Sequence, residues 1–184
     1  KEKGFAEART FESVTVMFTD FKDFTKVAES LDAKSLVKEI DYVFRKFDEI
    51  ITYYNIEKIK TVGDACNAAA RIPVENSTHA ADMVNAALEI LETIEKIKTD
   101  RKNNGLPFFE IRIGIHTGPV VAGIVGTKKF AYDIWGDAVN VASRMESSGE
   151  AGKINISGST FELVKDKFVC VYRGKVTAKN KGEI

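Results

Sequence analysis

FAYDIWGDAVNVASRMES, residues 130–147, is the stretch from which the rest of the chain is read. A short apolar and aromatic run ending at Trp135 is interrupted by one acid, Asp133, and Gly136 and Asp137 then supply a break and an N-cap for a helix. Ala138, Val141, Ala142 and Met145 recur at helical spacing and are expected to pack inward, while Asp137, Asn140, Arg144 and Ser148 fall on the other side. Asn140 and Arg144 are therefore neighbours, which taken alone describes an ordinary amphipathic helix with two solvated side chains. Asp133 is harder to dismiss, because a carboxylate inside a run that otherwise reads as a buried strand needs a partner or a ligand.

Working outward, residues 13–20 read as a buried strand whose apolar run, Val14 to Phe18, ends on the carboxylate of Asp20. A short helix is expected over 24–28 and a long one over 33–54, where Leu36, Ile40, Val43, Phe44, Phe47, Ile50 and Ile51 trace a helical stripe. Residues 56–60 and 65–72 are expected strands on either side of a Val62-Gly63-Asp64 turn. A second long helix follows over 78–101, then a loop over 102–107. Strands over 109–116 and 120–125 would flank Thr117-Gly118-Pro119 as another hairpin, and after the opening stretch come a strand at 153–156, a helix at 159–165 and a strand-like run at 168–172. The order is β-α-β-β-α-β with additions. That predicts a ferredoxin-like α+β fold with an antiparallel sheet covered by helices on one face.

The composition narrows the classes of function. A chain of 184 residues with 44% hydrophobic content is expected to form one domain, residues 12–184, behind the end of a lead-in linker at 1–11. Lys+Arg 27 balance Asp+Glu 27, so no global field argues for nucleic acid or an anionic membrane as partner. The longest stretch free of charge, 113–127, is broken by glycines and is too short to span a bilayer. Cys66 and Cys170 form neither a metal-ligand nor a disulfide pattern, which fits a reducing compartment, and the expected location is the cytoplasm, either free or as the cytoplasmic-side domain of a membrane protein. Beginning at Lys1 without Met, the sequence reads as a piece of a longer protein whose regulatory domain lies elsewhere. Gly118 and Gly123 have P-loop spacing, but Ile124 stands where the lysine should be, and His116 has no second His or Cys at ligand spacing.

Tyr132-Asp133-Ile134-Trp135-Gly136 followed by Asn140-Val141-Ala142-Ser143-Arg144-Met145 resembles the signature of the class III nucleotidyl cyclases, the adenylyl and guanylyl cyclase family. Further ordered blocks extend the resemblance over nearly the whole chain: Phe18-Thr19-Asp20-Phe21, Lys60-Thr61-Val62-Gly63-Asp64-Ala65 and Gly114-Ile115-His116-Thr117-Gly118. The resemblance implies that Asp20 and Asp64 are metal ligands, joined by the backbone carbonyl of Phe21. Two carboxylates at a strand end and a tight turn are by themselves ordinary turn chemistry. They also suit a pair of hard cations, Mg²⁺ or Mn²⁺, about 4 Å apart, as in two-metal phosphoryl transfer.

Lys60 and Asp133 are the base-reading candidates. Adenine offers an acceptor at N1 and a donor at its 6-amino group, which a Lys donor and an Asp acceptor complement, whereas guanine presents the opposite sense. Guanylyl cyclases generally carry Glu and a small residue such as Cys at those two places, so the resemblance points to ATP. Lys60 alone would pass for a snorkelling surface lysine. The resemblance further implies that Arg144 stabilises charge at the α-phosphate, that Asn140 positions the ribose region, and that Lys179 contacts the terminal phosphates. Pro119 stands where some relatives have an arginine, so that phosphate contact is not expected here.

The expected activity is conversion of ATP to cyclic AMP and pyrophosphate in a two-fold homodimer. Metal-binding aspartates from one subunit would meet Lys60, Asp133, Asn140, Arg144 and Lys179 of the other. Rivals are a guanylyl or mixed-specificity cyclase, a catalytically silent dimerisation or nucleotide-sensing module, and a polymerase-palm-like enzyme. Lys60 and Asp133 argue against the first, the full set of site residues against the second, and the absence of a basic stripe against the third.

Overall fold

β1 (Arg9–Lys22) is the strand on which the rest is assembled. Its side chains alternate between two faces: Met17 and Phe21 enter one apolar cluster, Val14 and Val16 another, and all four are buried. A computed structural model describes residues 8–126, 130–178 and 182–183. After β1 come α1 (Phe24–Glu29), α2 (Ala33–Tyr53), the β2 (Glu57–Val62) and β3 (Ala65–Ala70) hairpin, α3 (His79–Asn103) and β4 (Glu110–Val125). The sheet order is β2-β3-β1-β4-β5, which contains the ferredoxin-like arrangement expected from the sequence.

α2 and α3 cover the first face, where Val43, Phe47, Ile51, Met83 and Ile90 pack with Met17, Ile111 and Ile113. Each such side chain contributes about 1.5–3 kcal/mol by leaving water. Asp32 starts α2 by accepting from the backbone N–H groups of Lys34 and Ser35, both at 3.0 Å. The opposite face is covered as well: α4 (Asp137–Ser147) lays Ala138 and Ala142 against Val14, Val16 and Val120. α4 sits so close that a Cβ on Gly114 of β4 would fall 1.9 Å from the backbone nitrogen of Glu146. β5 (Ala131–Trp135) pairs antiparallel with the end of β4, while β6 (Ile154–Ile156) pairs parallel with its earlier half and leads into α5 (Gly158–Val164). β7 (Thr177–Ala178) and β8 (Gly182–Glu183) form a separate two-stranded ladder.

Three expectations are corrected. Thr117-Gly118-Pro119 is not a hairpin, because β4 runs through it unbroken. The proline, with no N–H to donate, is absorbed by a bulge in β1, where Phe11 pairs with Val120 and Val14 with Gly118, leaving Glu12 and Ser13 opposite Pro119 alone. Residues 168–172 are not a strand. Val169, Val171 and Tyr172 are exposed, and none of their backbone joins a ladder among the described residues. β1 also starts at Arg9, so Arg9, Thr10 and Phe11 belong to the sheet and not to a linker. The remaining elements match to within a few residues, including the Gly63 turn, whose φ of 62° suits glycine.

The two ends of the strand order, β2 and β5, come into contact. Lys60 Nζ lies 2.7 Å from Asp133 Oδ2 across that closure.

Candidate active site

Asp20 stands one residue beyond the last β1–β3 pair, Thr19 with Cys66, beside the hairpin that carries Asp64. The two carboxyls are close enough to influence each other: burial raises the pKa of Asp64 above its ordinary value, and the neighbouring Asp20 adds to the effect. Phe21 anchors this end of β1, its ring buried and stacked on Phe109 at 4.7 Å between centroids, so the main chain next to Asp20 is held by the core.

Two residues in this cluster escaped the sequence reading. Arg112 is the direct cross-strand partner of Asp20 and donates from Nη2 to its carboxylate at 2.6 Å, while Nε lies 2.9 Å from Oε1 of Glu146 on α4. Burial opposes the charge on Arg112, but Asp20 and Glu146 more than offset it and raise its pKa. Burial likewise raises the pKa of Glu146, against the pull of Arg112. A charged residue between the buried isoleucines Ile111 and Ile113 was the available signal: β4 alternates, so Arg112 had to face away from the helical core.

The base-reading candidates are brought together. Asp133, whose side chain is 18% exposed, finds in Lys60 the partner that its position in a strand demanded, and its Oδ1 accepts from the Ile134 N–H at 2.8 Å. Asn140 and Arg144 lie on the outer face of α4, both exposed, with Ala138, Val141, Ala142 and Met145 turned inward as the periodicity predicted. Arg144 has no ion-pair partner among the described residues, so its guanidinium is available to an anion. Lys179 lies outside the described residues.

No group of three or more His, Cys, Asp or Glu among the described residues has metal-ligand geometry. Asp20 and Asp64 nevertheless fit a hard divalent cation. They supply oxygen donors only, and a cation would favour the charged form of Asp64, which burial and, to a lesser degree, the neighbouring Asp20 disfavour. Phosphate oxygens of a nucleotide would complete such a coordination shell.

An acidic end on a ferredoxin-like sheet, next to a helix whose Arg144 has no ion-pair partner among the described residues, suits the handling of phosphate groups, and comparison with known proteins gives the class. Residues 6–184 match the adenylate and guanylate cyclase catalytic domain, and the chain belongs to this family of class III nucleotidyl cyclases. It is 38% identical over 175 residues to an adenylate cyclase of Mycobacterium tuberculosis, covering 95% of this chain and 39% of the relative. Human guanylyl cyclase C is also 38% identical, over 186 residues covering 99% of this chain and 17% of the relative, so the chain spans well under half of either protein. Among solved structures, the catalytic core of a rhodopsin-guanylyl cyclase with converted specificity, in complex with ATPαS, superposes with a TM-score of 0.90 at 37% identity. That match covers 97% of this chain and 95% of the other. No helix among the described residues is long and apolar enough to cross a membrane.

Proposed function

We propose that this domain is an adenylyl cyclase: the ribose 3′-oxygen of ATP attacks the α-phosphorus, the bond to the β-phosphate oxygen breaks, and pyrophosphate leaves as cyclic AMP forms. The observation that carries the choice of base is the Lys60–Asp133 pair at 2.7 Å. One cation and one carboxylate, already adjacent, offer the donor and acceptor that adenine N1 and the 6-amino group require. Guanine would leave both groups mismatched, at about 1–3 kcal/mol or more for each buried group. The relatives divide between adenylyl and guanylyl cyclases at equal identity, so this pair is what separates the two readings.

Asp20 and Asp64, with the Phe21 carbonyl, are the residues that would hold Mg²⁺ or Mn²⁺. Two such ions, when bound, would lower the pKa of the 3′-hydroxyl and neutralise the triphosphate. Arg144, on the free face of α4, grips the α-phosphate oxygens with two fixed N–H donors as charge builds there. Asn140, one turn before it, orients the ribose. Lys179 is assigned to the terminal phosphates from the resemblance alone. The working unit is a homodimer in which each site takes its aspartates from one subunit and its base-reading and phosphate-gripping residues from the other.

Incubation of the protein with ATP or GTP and Mn²⁺, with the cyclic product identified by mass, tests the activity and the base at once. Lys60→Glu combined with Asp133→Cys is expected to move preference toward GTP. Surviving activity with an unchanged preference would remove both residues from base reading.

A further inference from the structure

Asn67 is a polar side chain in the wrong place for a structural residue. It lies in β3 among Cys66, Ala68, Ala69 and Ala70, it is only 3% exposed, and neither its amide nitrogen nor its amide oxygen has a hydrogen-bond partner among the described residues. Leaving such a group buried and unmet costs stability that an alanine, the commonest residue in β3, would not. Its position is specific. Asn67 is the direct cross-strand partner of Lys60 on one side and of Phe18 on the other, so all three side chains rise from the same face of the sheet. The next position in this row is Gly114, on which α4 rests. The unmet amide therefore lies between the Lys60–Asp133 closure and the helix that carries Asn140 and Arg144.

We propose that Asn67 is a third base-reading residue, whose carboxamide hydrogen-bonds the N7 and 6-amino edge of adenine once the Lys60–Asp133 pair opens around the nucleotide. The inference rests on the reading of Lys60 and Asp133 given above. The donor and acceptor inventory then closes. Lys60 donates to N1, Asp133 accepts one hydrogen of the 6-amino group, Asn67 Oδ1 accepts the other, and Asn67 Nδ2 donates to N7. Asparagine offers adenine this same pair of bonds when it reads the base in a DNA groove.

Titration calorimetry of α,β-methylene-ATP and its 7-deaza analogue, neither of which can be cyclised, tests the assignment atom by atom. The 7-deaza analogue lacks only the N7 acceptor. The intact protein is expected to bind it about fivefold more weakly, the equivalent of one neutral hydrogen bond. In Asn67→Ala and in Asn67→Leu that ratio should fall to about one, while affinity for inorganic triphosphate, which has no base, is unchanged in both. Alanine already occupies four of the six positions of β3, so at least that variant is expected to fold. A ratio that stays at the wild-type value in both variants, or equal affinities for the two analogues in the wild type, overturns the proposal. Lys60→Ala is titrated alongside. Unchanged nucleotide affinity there would overturn the role of Lys60, and the N7 ratio still decides Asn67.

Discussion

Both histidines of the chain sit at the ends of one hydrogen-bonded run. Thr15 Oγ1 contacts His79 Nδ1 at 2.8 Å and Thr117 Oγ1 at 2.9 Å, Thr117 continues to Thr160 at 3.0 Å and Thr160 to Ser157, and Ser157 meets His116 Nδ1 at 2.7 Å. His79 is buried, and that burial, with Arg71 nearby, lowers its pKa below the usual 6.5, against a smaller opposing pull from Asp82. The folded chain thus binds this proton less readily than the unfolded chain does. Stability from His79 is present above pH 6.5 and is lost as pH falls from there through the lowered folded value. His79→Asn keeps a hydrogen-bonding group near the Nδ1 position but cannot titrate, so melting temperatures measured across this range should fall less steeply with acid than in the wild type. Equal slopes would show that another group dominates. None of this run was legible in the sequence, since it joins positions separated by up to 102 residues. Asp133 was legible as a residue in need of a partner or a ligand, and the family resemblance set it beside Lys60 as a base reader, but their ion pair joins strands 73 residues apart and was not legible.

At the scale of elements, periodicity carried most of the fold. The stripe on α2 and the inward set on α4 are local properties of 3.6-residue repeats, and the Gly63 turn is local chemistry. The failure at Thr117-Gly118-Pro119 has the opposite cause, because whether Gly-Pro turns the chain or is absorbed depends on β1, roughly a hundred residues earlier. The exposed run at 168–172 has strand-like composition but no neighbouring strand to complete it among the described residues. Gly114 is the position where one element most tightly constrains another. Gly114→Ala places a methyl group inside the backbone of Met145 and Glu146, so α4 must move and carry Arg144 with it. Such overpacking typically costs about 1–3 kcal/mol. Denaturant unfolding is expected to register that loss together with a fall in turnover, and wild-type values for both would mean that α4 yields freely.

For the whole molecule, the proposed division of the site between subunits has a stoichiometric signature. Asp64→Ala and Arg144→Ala chains should each be inactive alone. In a mixed dimer both lesions fall in one site and the other site is wild type. With free subunit exchange about half the dimers are mixed and each keeps one of two sites, so activity should recover to about one quarter of wild type. Exchange demonstrated with a labelled subunit, with activity still at background, would place the whole site within one chain.

The Lys60–Asp133 closure also bears on how a change of nucleotide could be acquired by descent. The two residues neutralise each other across the meeting edges of the sheet, and the order in which they are replaced is not a matter of indifference. Lys60→Glu made first sets two carboxylates where a 2.7 Å ion pair had been. Asp133→Cys made first leaves only a lysine whose side chain is 46% exposed and readily hydrated. The second route passes through the gentler intermediate, and melting temperatures of the two single variants, lower for Lys60→Glu than for Asp133→Cys, would show it. Lineages that crossed from one nucleotide to the other are then expected to have lost the carboxylate before they reversed the lysine.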